Sequence, residues 1–334
     1  MIRMWIYLIA FAAVIVITLA LMPVFIKLAY RLDFTDKPTE RKKHKTPAPL
    51  VGGLVMFLAF AVGFLIFVAF MEVDSIYPDD LLGAWEIAAI LVGAMMIVGI
   101  GLVDDYSKTR GKEFPVFPRL LIKIAAACLA FAAGIRFTGF TNPFTDIYVT
   151  FPFGVQLVLT VLWFVGLITV FNFMDGLDGL AGLLALLPGC TLFFVAMSMG
   201  QTKSAIMAVL FLGAVAGFLR YNLRGKVWMG DSGAYMLGYL LAVISLHGIF
   251  KQATIISMFI PMLALAVPIV DSITVVVRRI LAKKPTYVAD STSDITHIHY
   301  RLTKSGMKPK YAVALIFLVS ACLNLTAIIL MLVV

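Results

Sequence analysis

Charged side chains are scarce in this sequence. Asp, Glu, Lys and Arg make up 13% of its 334 residues, against about 25% in an ordinary soluble domain. That deficit excludes a surface facing water on all sides. Cysteine is almost absent: Cys128, Cys190 and Cys322 lie singly inside apolar stretches. No disulfide framework or zinc set can be built from them, and they read as small buried hydrophobes. There is also no Ser-His-Asp or Cys-His arrangement, no Walker loop and no Rossmann fingerprint after a strand. Hydrolases of the triad type, P-loop nucleotidases and dinucleotide-dependent oxidoreductases are thereby set aside.

What the chain has is apolar length. It is 62% hydrophobic with a mean hydropathy of +1.02. Runs of about 20 apolar residues, enough to cross roughly 30 Å of hydrocarbon, recur from end to end. Ten segments are expected to span, at 4–30, 50–71, 84–103, 119–136, 155–171, 181–199, 205–220, 233–250, 255–281 and 311–333. The first is too long for a signal-peptide core and reads as a retained helix. No internal repeat suggests the inverted halves of a transporter. The expected fold is therefore all-α: one integral membrane domain over 1–334, with about ten transmembrane helices and an active-site cleft at the cytoplasmic face.

Lys and Arg set the orientation. With the first loop inside, the inner loops are 31–49, 104–119, 172–180, 220–232 and 278–310. They hold 21 of the 27 basic residues, while Glu72, Asp74, Asp79, Asp80 and Glu86 fall outside. This is a positive-inside pattern, and it places both termini outside. The net charge of +9 thus belongs to membrane-facing loops, not to a nucleic-acid-binding domain. Such loops contact anionic lipid head groups, and together they make a field suited to a polyanionic substrate.

Acids are costly in a bilayer, so those at the ends of apolar spans mark candidate chemistry. Four places stand out. Asp104 and Asp105 are adjacent, so on a helix they point about 100° apart and suit different roles. One would face a reacting phosphate, the other a metal or a basic partner; a solvated helix end is the plain alternative. Asn172 and Asp175 share a helix face in Asn172-Phe173-Met174-Asp175-Gly176-Leu177-Asp178-Gly179, whose glycines allow a tight turn and close approach of backbone to a ligand. Asn222 precedes Met229-Gly230-Asp231-Ser232-Gly233, where Asp231 is either an N-cap or a magnesium ligand. Asp271 lies slightly deeper, ahead of Thr296-His297-Ile298-His299-Tyr300-Arg301. Histidines at i and i+2 do not share a helix face, so phosphate or ribose contacts suit them better than a shared metal. Oxygen ligands, cations and glycines at one membrane face suit phosphoryl chemistry by positioning and charge stabilisation.

From Asp36 to about Gly306 these pieces resemble the polyprenyl-phosphate N-acetylhexosamine-1-phosphate transferases, glycosyltransferase family 4. The matching stretches are Asp36-Lys37-Pro38, Arg41-Lys42-Lys43-His44, Pro49-Leu50-Val51-Gly52-Gly53, Asp104-Asp105, Asn172 through Gly179, Met229 through Gly233, Pro268 with Asp271, and His297-Ile298-His299. The resemblance implies transfer of N-acetylglucosamine 1-phosphate from UDP-GlcNAc to undecaprenyl phosphate, with release of UMP. That step begins a cell-envelope glycan such as a teichoic acid or O-antigen. The branch using UDP-MurNAc-pentapeptide typically carries three consecutive histidines and an acidic residue, absent here. Tyr300 stands where the family usually has another histidine, and 289–296 reads longer than usual. The alternatives are a phospho-MurNAc-pentapeptide transferase of peptidoglycan synthesis and a silent lipid-carrier-binding relative, with a transporter the remotest.

By the same resemblance Asp104, Asp105 and Asp231 are catalytic, and Asn172 with Asp231 holds Mg²⁺, or Mn²⁺ in its place. His44, Arg119, Asp175, Asp178, Asn222, Asp271, His297, His299 and Arg301 line the substrate cleft. The implied partners are the UDP-sugar, the polyprenyl phosphate and the bilayer of the inner membrane. The resemblance also implies a homodimer, the family's habit.

Overall fold

In hydrocarbon a segment must satisfy its own backbone N–H and C=O groups, so long apolar runs fold as helices. The computed structural model describes residues 2–36, 47–74, 83–142, 145, 147–248, 255–281 and 297–333. Its helices are α1 (Ile2–Arg31), α2 (Gly52–Asp74), α3 (Ala84–Thr109), α4 (Val116–Ala132), α5 (Phe153–Met174), α6 (Leu180–Ser198), α7 (Thr202–Asn222) and α8 (Gly230–Gly248). Then follow α9 (Ile255–Ala264), α10 (Ala266–Leu281), α11 (Ile298–Lys304) and α12 (Pro309–Val333). Among the described residues seven of these, α1, α2, α3, α5, α6, α7 and α12, are long and apolar enough to cross a membrane. The protein is a polytopic, mostly helical membrane protein. The other three expected segments coincide with α4, α8 and the pair α9–α10.

Three details depart from the expected pattern. The segment expected as one span over 255–281 is broken at Leu265. Pro268 has no N–H to offer the carbonyl of Ala264, and its ring crowds that carbonyl, so the helix cannot run through. Two small antiparallel ribbons join the helices: β1 (Thr35–Asp36) with β2 (Ala48–Pro49), and β3 (Gly139–Thr141) with β4 (Tyr148–Thr150). Such two- and three-residue pairs carry too little periodicity to be read from sequence. The short α11 lies in a stretch expected as loop.

α7 and α8 form the centre, and from Asp231 to His247 every residue of α8 is buried. A helix apolar all round is one enclosed by others. Close approach depends on small residues: a Cβ on Gly53 of α2 would overlap the backbone of Gly233 on α8, so the two chains cross in contact. The outer helices instead expose large apolar side chains, among them Trp5, Ile9, Phe153, Leu162, Leu318 and Leu332. Large apolar side chains exposed in this number suit contact with lipid rather than water.

At one end of the bundle the connections interlock. Gly52 N and Gly53 N donate to Trp228 O and Met229 O, each at 3.0 Å, and Trp228 N donates to Pro49 O at 2.9 Å. The strand β2 is thereby stitched to the segment entering α8. The last turns of α3 and α5 and the short α11 lie at the same end.

Candidate active site

The site begins with how α8 meets α3. A side chain at Gly101 would overlap the backbone of Ser232, and one at Gly230 would overlap the Asp105 carboxylate. Gly230 also has φ +68°, a conformation that favours glycine. These absences of side chain let the first turn of α8 sit directly on α3. There its free N–H groups need acceptors. Asp105 provides them across the helix interface: Asp231 N donates to its Oδ1 at 2.7 Å and Ser232 N to its Oδ2 at 3.1 Å. Asp105 is 1% exposed, and both of its oxygens are engaged in capping α8.

Asp104, one residue earlier, faces a different set of groups. Its Oδ2 accepts from Arg119 Nη1 on α4 at 2.8 Å and lies 3.4 Å from Lys108 Nζ, one turn along α3. Lys108 Nζ in turn donates to Asp231 Oδ2 at 2.5 Å. Asn172 Nδ2, at the end of α5, donates to Asp231 Oδ1 at 3.2 Å. Asp231 occupies the first turn of α8, where the helix dipole favours a carboxylate. So one ammonium bridges carboxylates from α3 and α8, with a guanidinium from α4 beside it. One turn deeper on α4, Lys123 Nζ lies 4.2 Å from the centre of the Tyr235 ring.

Asp104 Oδ1 is buried and has no hydrogen-bond partner among the described residues. No three of His, Cys, Asp and Glu converge there in metal-binding geometry among those residues. The donor set still fits a hard cation that takes one or two carboxylates and fills its shell with phosphate oxygens and water. The buried, unmatched oxygen of Asp104 is the feature that such an ion would satisfy, with Asp231 and Asn172 alongside.

The loop 175–179 closes another side. Gly179 N donates to Asn222 Oδ1 at 2.7 Å, and Asn222 Nδ2 donates to Val227 O at 2.9 Å. Asn222 thus engages the backbone at both ends of its amide and ties this loop to the one entering α8. Asp175 stands next to the bridged carboxylates. Burial and then the Asp231 charge push its carboxyl up to about 7, opposed by Lys108. Asp178 is exposed on the same loop.

Asp271 on α10 receives the start of α11: His297 Nδ1 lies 2.7 Å from its Oδ2, and Ile298 N donates to its Oδ1 at 2.9 Å. His297 precedes the helix with extended φ and ψ. For that reason its ring stacks on that of His299, with centroids 5.8 Å apart and planes 10° from parallel. Helical spacing alone would have separated the two. His297 also packs on Phe173, and Gly176 leaves room for Nε2 of His299 against the loop. His299 is wholly buried, and neither ring nitrogen has a hydrogen-bond partner among the described residues. Burial first, then His297, hold its imidazole down to about 4, so it is neutral at physiological pH. Arg301 is exposed on α11, and His44 lies outside the described residues.

The sequence model of the family described as Glycosyl transferase family 4 matches residues 87–249. Over 324 residues the chain is 32% identical to the probable undecaprenyl-phosphate N-acetylglucosaminyl 1-phosphate transferase of Bacillus subtilis (strain 168), spanning 96% of this chain and 84% of that protein. The chain belongs to glycosyl transferase family 4. It is also 28% identical over 312 residues to the decaprenyl-phosphate N-acetylglucosaminephosphotransferase of Mycobacterium leprae (strain TN), spanning 87% of this chain and 75% of that one. A third relative is the undecaprenyl-phosphate alpha-N-acetylglucosaminyl 1-phosphate transferase of Yersinia pestis, 26% identical over 309 residues, 91% of this chain and 78% of that one.

The family 4 match takes in Asp104, Asp105, Arg119, Asn172, Asp175, Asp178, Asn222 and Asp231, and it ends before α10 and α11. Among the described residues α11 meets the 172–179 loop through His297 on Phe173 and His299 against Gly176. One residue central to the geometry escaped the sequence reading: Lys108. Its signal was present, because four residues after Asp104 on a helix is the same face one turn on.

Proposed function

We infer that this chain transfers N-acetylglucosamine 1-phosphate to a polyprenyl phosphate, with UDP-GlcNAc as donor and UMP as product. The names of its relatives support the transferred group and the lipid acceptor. The observation that carries the site is the bridge from buried Asp104 through half-buried Lys108 to buried Asp231, with Arg119 at its edge. Two cations at one point suit two phosphates that must be brought together against their own repulsion.

In this reading an oxygen of the lipid phosphate forms a bond to the β-phosphorus of UDP-GlcNAc. The bond from that phosphorus to the bridging oxygen breaks, and UMP leaves with the electron pair. A phosphate monoester has its second pKa near about 6, so the acceptor is mostly dianionic at neutral pH. Lys108 and Arg119 hold negative oxygens in line. Asp104 keeps both cations aimed at the reacting groups, and Asp105 fixes the first turn of α8 on which Asp231 stands. Asp175 and the His297–His299 stack form the wall for the nucleotide-sugar. Mg²⁺ held by Asp104, Asp231 and Asn172 would offset the charge of the pyrophosphate when bound.

The site faces the cytoplasm, because the loops at its end of the bundle carry most of the Lys and Arg. With α4, α8 and the α9–α10 pair also crossing the membrane, the spans number ten. The product then enters assembly of a cell-envelope glycan from the inner leaflet. The test is purified protein with undecaprenyl phosphate, Mg²⁺ and a panel of UDP-sugars, scored for UMP. Release with UDP-GlcNAc above the other sugars is expected, and no release with any would overturn the reading. Direct attack has its own check. Radiolabel from the UDP-sugar trapped on the protein in the absence of lipid would require a covalent intermediate instead.

A further inference from the structure

Far from the carboxylates, a polar side chain sits deep in the apolar bundle. Asn324 of α12 is 3% exposed. It lies fifteen residues past the start of α12 at Pro309, about 22 Å along a helix rising 1.5 Å per residue. A polar group at that depth needs a reason. Its amide engages three helices through hydrogen bonds. Nδ2 donates to Ala264 O of α9 and to Ser320 O of α12, each at 2.9 Å, and Thr191 Oγ1 of α6 donates to Oδ1 at 2.7 Å. Both carbonyls can only accept, so the amide orientation is fixed by its surroundings.

The carbonyl of Ala264 is the one left without a helical donor by Pro268, four residues on. An unsatisfied carbonyl in hydrocarbon is costly, and a break survives there only if something re-satisfies it. Asn324 does so, and Thr191 holds Asn324 in place. Beyond the break runs α10, which carries Asp271 seven residues past Ala264, about 10 Å further on. Asp271 in turn holds His297 and the first turn of α11.

We propose that Asn324 is a positioning residue: by holding the Ala264 carbonyl it sets the direction of α10, and so the stance of Asp271, His297 and His299 at the nucleotide-sugar side of the cleft. This rests on the reading that those residues contact UDP-GlcNAc. The anchor lies in the membrane interior and touches no substrate. Its influence travels along one rigid helix.

The experiment compares N324L, N324Q and T191V with the wild-type protein. N324L keeps apolar bulk and removes the donor, and is expected to raise KM for UDP-GlcNAc about tenfold, the scale of one lost buried hydrogen bond. Turnover should fall less than about threefold, because the Asp104–Lys108–Asp231 bridge is untouched. N324Q retains a donor amide and should recover most of the loss. T191V leaves both bonds to the carbonyls but frees the Oδ1 of Asn324, and should raise KM by less than N324L does, about threefold. Hydrogen exchange of peptides covering 265–281 supplies a readout independent of activity, with faster exchange expected in N324L and not in N324Q. A loss confined to turnover, an equal loss in N324Q, or unchanged KM and exchange in N324L would each overturn the proposal. Wild-type protein releasing no UMP would instead defeat the assigned reaction, while the exchange comparison would still test the anchor.

Discussion

Replacing Asp105 with alanine removes the acceptor for two buried backbone N–H groups, those of Asp231 at 2.7 Å and Ser232 at 3.1 Å. Each buried donor left unmatched costs about 1–3 kcal/mol, so D105A is expected to lose about 2–6 kcal/mol of stability. The same substitution frees the first turn of α8. An ångström of drift in Asp231 is enough to slow the reaction about 100-fold. Asp104 carries a charge as well as a contact. Its Oδ2 accepts from Arg119 and lies beside Lys108, so D104N, which keeps an oxygen but not the charge, is expected to lose about 1.5–3 kcal/mol of stability. It removes a charge from the point where Arg119 and Lys108 converge, and activity should fall on the order of 10²–10³-fold. The assay is thermal unfolding in nanodiscs beside UMP release from the same preparations. If D105A unfolds at the wild-type temperature while losing as much activity as D104N, its assignment as the cap of α8 is refuted.

Lys108→Met leaves two buried carboxylates without their shared ammonium. It should lower kcat/KM by about 10²-fold, and steady-state kinetics at several Mg²⁺ concentrations check this. Asp175 has a raised pKa, so the folded state holds a proton that the unfolded chain has released. Stability should therefore be fully present below about pH 4 and decline as pH rises toward about 7. D175N should make that decline shallower, read as a smaller fall in melting temperature across the window than in wild type; an unchanged slope would count against it. Gly176→Ala places a Cβ against Nε2 of His299, and is expected to raise KM for UDP-GlcNAc about tenfold, measured with lipid saturating.

The helices were legible wherever an apolar run was long, because hydrocarbon permits only one local solution to the backbone. The break at Leu265 was not taken from Pro268, since many membrane helices carry a proline without breaking: Pro23 lies inside α1 and Pro188 inside α6. What separates Pro268 is Asn324, more than fifty residues away, and that contact has no local signature. The acids of the site were recognisable as costly groups at span ends. Their division of labour was not, because capping by Asp105 depends on a helix that begins 125 residues later. The same holds for the histidines. Their i, i+2 spacing argued against a common face, and only the extended backbone of His297, held by Asp271, brings the rings into a stack. Lys108 was passed over for a different reason: in a basic loop one cation looks like another until its partners are known.

Asp105 and the backbone it caps lie 126 positions apart. A ribosome adding roughly 5–20 residues per second needs about 6–25 s to cover that interval. For that time the newborn α3 waits in the insertion machinery or the bilayer with two acids and a lysine at its trailing end and no α8 to receive them. Until α8 arrives these charged groups lack the partners they have in the folded protein. A chain halted ahead of α8 would leave the Asp105 carboxylate without the two backbone N–H groups it caps.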